Sequence, residues 1–450
     1  MLTSQKLRPL TALAAAAVLS VGLTSCAGSA SDGAGSGSQV TIWATSQANS
    51  AEKVMAGMID DFNKSYPGGG HVSIEWIGGE QWKTKVAVAM AAHAPPTVFY
   101  TFGGQLLDQY VDGGNVMDLT DALAADPAWK SAYSAKNVFD LATYKGRTYG
   151  IPAGGPDFEV MWQNEAVLRK AGAAPSPATW SAFQDVVNKV KATGVAPIAL
   201  AGKDLWPEMI YMQYLTLRNG GPEVFNRIKT FTPGSWSDPT VIKSAETIQD
   251  LARSGAFTNG FNTVTYASGQ AEQLLASGQA AFQAMLYYDE SNMRAFAPTF
   301  AASADYSAFP FPAIEGAPGD QQALVGQPAE YWGVSAKASP AQQKEATAFL
   351  KYATTSQTYN VDYLAKAGFT PMTDAGAKAL QSKDVPNATL LKKLYEMGTQ
   401  APSFQPYWDQ DLPSAVITPM LSNIGELFDL SITPQEFASR MNDVLAQAKS

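Results

Sequence analysis

Residues 39–45 read QVTIWAT, residues 71–77 read HVSIEWI and residues 96–102 read PTVFYTF. Each is short and rich in β-branched or aromatic side chains, the composition of a strand. Between the first two, Val54, Met55, Met58, Ile59 and Phe62 recur at helical spacing, and YPGGGH at 66–71 stops the run. A second helix is predicted over about residues 81–92. Strand–helix–strand–helix–strand predicts a parallel sheet with crossover helices, so the fold class is α/β.

The same alternation continues down the chain. The segment TYKGRTYGIP at 143–152 predicts a hairpin turning at Lys145 and Gly146. Trp180, Phe183, Val186, Val187 and Val190 form a helical stripe that ends at Gly194, and Ala271, Leu274 and Leu275 mark another helix. Extended segments are predicted at 303–314 (SADYSAFPFPAI) and 330–336 (EYWGVSA). Ser339 followed by Pro340 has the residue types of a helix N-cap and first helical position.

Upstream of the first strand the chain changes character. Lys6 and Arg8 precede an apolar run at 9–23, PLTALAAAAVLSVGL, the order of a secretory signal and shorter than the ~20 residues of a spanning helix. LTSC at 23–26 resembles the lipobox of bacterial lipoproteins, which implies a signal peptide over 1–25 and lipidation of Cys26. Cys26 is the only cysteine, so no intramolecular disulfide is available. Residues 26–38 are almost wholly Gly, Ser and Ala, a tract that reads as a flexible lipidated tether.

The net charge is −9, and −11 without the first 25 residues, which hold Lys6 and Arg8 and no acid. So acidic a chain argues against nucleic acid as a partner. With His71 and His93 as the only histidines, no metal site and no cofactor are expected. The 10 Trp, 18 Tyr and 20 Phe are enough to line a pocket as well as fill a core.

Several segments together resemble one family. They are VTIWAT (40–45), AAHAPPTVFY (91–100), YVDGGNVMDLTDAL (110–123), YKGRTYGIPAG (144–154), the run from 160 to 190, LLASGQAAFQAML (274–286), the run from 330 to 357 and AGFTPMTD (367–374). In order and spacing they resemble the carbohydrate-binding, family 1 type of extracellular solute-binding lipoprotein that serves ABC sugar importers. GKDLWPEMIYMQYLTLRNGGPEVF (202–225) further resembles the branch of actinobacterial xylobiose- and oligosaccharide-binding proteins. The chain departs from the family pattern at Pro96-Thr97-Val98, Gln163-Asn164-Glu165 and Leu286-Tyr287-Tyr288, changes that bear on the sugar more than the fold.

The resemblance implies a two-lobed, type II periplasmic-binding-protein-like fold with parallel-rich sheets flanked by helices. It places the chain crossings near 149–152, 306–311 and 335–339. One lobe would comprise 39–150 plus about 306–338, the other 151–305 plus about 339–450. It implies a monomer on the extracellular face of the cytoplasmic membrane, holding a neutral oligosaccharide for permease subunits driven by a cytoplasmic ATPase. Xylobiose or a xylo-oligosaccharide is the first ligand implied, another β-linked disaccharide the next.

A sugar ring presents apolar C–H faces and a rim of hydroxyls, so its site needs aromatic rings plus carboxylates and amides. By position in the family motifs, the expected contacts are Ser46 and Gln47 after the first strand, Gln81 and Trp82 at the second helix, and Phe102 after the third strand. Asp157 follows, then Lys203, Asp204 and Trp206 from the branch segment, Tyr288 with Asp289, and Trp408 with Asp409. Trp43, Trp76 and Trp180 fit core stripes instead. The competing function is a secreted glycoside hydrolase, for which Asp157 with Glu159 or Asp409 with Asp411 would be the carboxylate pair. No Gly-rich phosphate loop ending in Lys and Ser or Thr is present.

Overall fold

β1 (Val40–Thr45) lies between β2 (Val72–Ile77) and β3 (Val98–Thr101), and both pairings are parallel. The intervening helices, Asn49–Ser65 and Gly79–Ala91, make the crossovers that the apolar spacing predicts. This is a computed structural model, and it describes residues 39–46, 49–380 and 384–449. The segments expected as signal peptide and as tether with Cys26, and Gln47, therefore lie outside the described residues.

β4 (Thr143–Tyr144) and β5 (Arg147–Thr148) form the expected hairpin. Lys145 and Gly146 turn it with φ of 49° and 76°, the left-handed pair that a two-residue hairpin requires. β6 (Ile151–Pro152) then closes the first sheet, in the order β2-β1-β3-β11-β6. Its member from far along the chain, β11 (Tyr331–Val334), runs antiparallel to both β3 and β6.

The second sheet is built on β7 (Asp157–Asn164), all eight of whose residues are buried. β8 (Phe282–Leu286), β9 (Tyr306–Phe309) and β10 (Leu324–Gln327) each pair with it antiparallel, and β12 (Phe404–Gln405) adds to β10 in parallel. The parallel order of the first sheet is thus not repeated, because partners of β7 return from distant chain rather than through single crossover helices.

Two large hydrophobic cores follow, with a small third around Ala199, Val264 and Ala271. One gathers the first sheet with Met55, Phe62, Trp129, Phe349 and Tyr359. The other gathers the second sheet with Trp180, Tyr211, Trp236, Ile248, Trp408 and Phe437. Their membership corrects the expected lobe boundaries. Tyr306–Phe309 and Leu324–Gln327 belong to the second sheet rather than the first. The helix Pro340–Thr354 packs on β11 and on the first core rather than the second. The chain accordingly passes between cores at 153–156, at 328–330, and after Thr373, which bridges Tyr133. Strand pairing over long separations decides these points, and short-range periodicity carries no information about it.

The N-cap reading of Ser339 is seen in full: its hydroxyl accepts from the Gln342 N–H while the Gln342 side chain accepts from the Ser339 N–H. No helix among the described residues is long and apolar enough to cross a membrane.

Candidate functional site

The two cores meet where β7 begins and β11 begins. Asp157 stands first on β7, and Glu330 immediately precedes β11. The intervening turn at 153–156 is held by the Ala153 N–H donating to the Glu330 carbonyl at 2.7 Å. Gly154 leaves this corner open: a Cβ there would sit 4.0 Å from the Glu330 carboxylate.

Aromatic rings flank this corner on both sides. On the first-sheet side, Tyr100 sits 5.3 Å from Trp82, 5.8 Å from Phe102 and 5.6 Å from Trp332, all edge to face. The Tyr100 hydroxyl hydrogen-bonds the Glu330 carboxylate. On the second-sheet side, Tyr288 lies 5.5 Å from Tyr287 and 5.3 Å from Phe369, and Trp206 meets Tyr266 at 5.1 Å. Tyr100, Phe102, Trp206, Tyr266, Tyr288 and Glu330 keep part of their surface open to solvent.

The carboxylates between these rings act on one another. Burial raises the Asp157 carboxyl well above its ordinary range; Glu330 and Asp409 raise it further, while the approaching Tyr407 hydroxyl partly offsets them. Burial likewise raises Glu159, with Asp409 and Asp157 adding to the effect. For Glu330, burial raises the carboxyl and the bond from Tyr100 opposes the rise. The Tyr288 phenol is pushed up by burial, then by Asp157, Tyr266 and Glu330. Such a group of aromatic faces and hydrogen-bond acceptors can hold a polar, ring-shaped solute.

Of the expected contacts, the structure brings Trp82, Phe102, Asp157 and Tyr288 to this corner. Trp206 lies next to it through Tyr266, whose phenol Asp157 also raises. Asp409 acts on Asp157 and Glu159 and is half-buried. Ser46 and Gln81 are exposed at the ends of β1 and β2's following helix. Lys203 and Asp204 are exposed on a short turn, where Asp204 accepts from the Tyr266 backbone N–H at 2.7 Å. Asp289 is fully buried beneath the ring wall, with Asn292 donating to it at 2.9 Å and Glu272 as a second partner.

Trp408 is a correction. It is 2% exposed and packs in the second core, its ring 4.8 Å from Phe225 and 5.1 Å from Trp236. Its neighbour Tyr407 faces Asp157 instead. The short helix Trp408–Asp411 turns these successive side chains to different sides. Trp43, read as core, is half-buried with the Lys85 ammonium 4.2 Å over its ring.

Sequence reasoning missed Tyr100, Tyr266, Glu330 and Tyr407. Tyr100 alternates with the buried Phe99 and Thr101 on β3, so its outward face was readable in principle. Glu330 has no such signal, since only the crossing between cores gives it a role.

Known proteins bear on this arrangement. The sequence profile of the bacterial extracellular solute-binding protein family matches residues 45–360. A probable sugar-binding periplasmic protein of Mesorhizobium japonicum is 30% identical over 175 residues, which is 39% of this chain and 41% of that protein. An ABC transporter extracellular-binding protein of Pyrococcus horikoshii is 26% identical over 52% of each chain. The chain thus matches about half, or less, of the length of these curated relatives. Among solved structures, one from work on xylan utilization by the thermophilic bacterium Caldanaerobius polysaccharolyticus superposes with a TM-score of 0.78 at 25% identity, covering 90% of this chain and 99% of that one. A chitin oligosaccharide binding protein gives 0.78 at 22% identity, covering 91% and 99%. The matched family and the named relatives are solute-binding proteins, which answers the hydrolase alternative. With its profile matched across both sheets, the chain belongs to the bacterial extracellular solute-binding proteins.

Proposed function

We propose that this protein captures a short oligosaccharide outside the cell and delivers it to the permease of an ABC importer. The observation that carries the reading is the corner at Asp157 and Glu330, where both cores contribute aromatic rings and acceptors to one place. A ligand there touches both halves, and only contacts from both halves stabilise a closed form over an open one. The sugar-binding description of the Mesorhizobium relative supports the ligand class. Xylobiose or a xylo-oligosaccharide is the first candidate, from the 202–225 resemblance and from the xylan context of one structural neighbour.

The assigned contacts are Trp82, Phe102, Asp157, Trp206, Tyr288 and Asp409, joined by Tyr100, Tyr266, Glu330 and Tyr407. Cys26 would carry the lipid that keeps the protein at the membrane. The test is titration with xylo-, cello- and malto-oligosaccharides, following tryptophan fluorescence and sugar length together. A saturable shift with intact sugar is expected. Absence of any shift across the panel, or release of shorter sugars, overturns the reading.

A further inference from the structure

The buried acids of the protein are balanced in different ways. Asp411 accepts from Lys229 at 2.6 Å and Glu290 from Arg294 at 3.0 Å, while buried Asp289 and Glu272 lean on each other and on the amides of Asn292 and Gln283. Around Asp157 and Glu159 the charged groups acting are acids only, Glu330 has the bond from Tyr100, and no Lys, Arg or His figures among them in the described residues. The same holds for the tyrosines around them, Tyr100, Tyr266, Tyr288 and Tyr407.

Two of these acids also have unused capacity. Asp157 and Glu159, 4% and 1% exposed, stand two apart on β7 and so share a face. Asp157 Oδ1 and Glu159 Oε2 each lack a hydrogen-bond partner. Gln327, directly opposite Asp157 in the β7–β10 register, leaves its Nε2 unpartnered as well. Burial holds these carboxyls toward their protonated form, and an ammonium would supply the counter-charge that lets them ionise, which an uncharged molecule does not. A metal ion is a poor answer, because no three acidic or histidine groups among the described residues lie close enough to hold one. The carboxyls act on the tyrosines beside them, Tyr100, Tyr288 and Tyr407, and aromatic faces next to acids suit an ammonium carried on a ring.

We infer that this cleft prefers an oligosaccharide bearing a protonated primary amine over its neutral counterpart, with the ammonium received at Asp157 and Glu159. The inference rests on the oligosaccharide reading above and deepens it. The ammonium donates to the free carboxylate oxygens, the Gln327 amide is left for a neighbouring hydroxyl, and the rings of Tyr100 and Tyr288 cover the sugar faces.

The test is calorimetric titration of the full-length chain at neutral pH with three disaccharides of one linkage. These are the glucosamine disaccharide, cellobiose with hydroxyls in place of the amines, and diacetylchitobiose with the amines masked. The glucosamine disaccharide should bind about tenfold tighter than either, as one charge-assisted hydrogen bond would give. Asp157→Asn should weaken the amine sugar more than cellobiose and so bring that ratio toward one; the wild-type ratio decides the matter even if the variant folds poorly. Cellobiose or diacetylchitobiose binding as tightly as the amine overturns the inference and leaves the sugar reading standing. Binding of none of these, nor of any neutral sugar in the earlier panel, overturns both.

Discussion

Trp206 meets Tyr266 edge to face with ring centroids 5.1 Å apart, and the Tyr266 backbone is itself held by Asp204. The pair stands at a loop-to-helix junction where Leu205 takes φ of 64°. Trp206 is therefore held by its surroundings while its ring stays half-exposed. Trp206→Ala should lower sugar affinity about tenfold, the loss of one aromatic contact of ~1.4 kcal/mol, with an unchanged circular dichroism spectrum. Unaltered affinity would remove Trp206 from the site.

Trp408 should behave in the opposite way. Its ring fills the second core between Phe225 and Trp236. Trp408→Ala should cost about 3–5 kcal/mol in urea unfolding, the range for truncating a buried aromatic side chain. A destabilisation below ~1 kcal/mol would contradict the packing described.

Glu208 links stability to pH. Burial pushes its carboxyl from the ordinary 4.5 up to about 9, with Asp429 adding to the rise. The folded protein then keeps a proton that the unfolded chain releases. This contribution is fully present below the unfolded value and is lost as pH rises toward about 9. Melting temperature should fall as pH rises between about 5 and 9, and Glu208→Gln should flatten that slope; equal slopes in the two proteins would refute the assignment.

Gly326 makes the β7–β10 pairing under the site feasible. Its φ is 152°, and a Cβ there would collide with the Asp157 carbonyl oxygen and lie 2.6 Å from Phe158 Cα. Gly326→Ala should destabilise the protein by about 3 kcal/mol and, by moving Asp157, weaken sugar binding in the fraction that folds. Thermal melting and titration of the same sample check both effects.

Cys26→Ser addresses anchoring. If Cys26 carries the lipid, the variant should appear in the medium or keep its signal peptide, read by fractionation and intact mass. Retention in the detergent phase with the signal removed would sink the lipidation reading.

Local order was legible where its causes are local. The strands at 40–45, 72–77 and 98–101, the hairpin turn at Lys145 and Gly146, and the Ser339 cap all follow from periodicity, turn chemistry and capping, which act over a few residues. The family resemblance added the two-lobed plan and brought Asp157, Trp206 and Tyr288 into view. It misplaced Trp408 by one residue relative to Tyr407, because which of two adjacent aromatics faces the cleft depends on how a four-residue helix is seated.

What the amino-acid sequence determined by itself was the α/β alternation, the parallel β2-β1-β3 part of the first sheet and the supply of rings and acids. The tertiary structure alone decided that β9 and β10 join the second sheet, that Glu330 meets Tyr100 at the crossing, and that Asp157 and Glu159 stand among acids with no cation acting on them among the described residues. The reason is physical: propensity and patterning fix what a segment is, whereas strand partners and neighbouring charges are set by contacts between segments far apart in the chain.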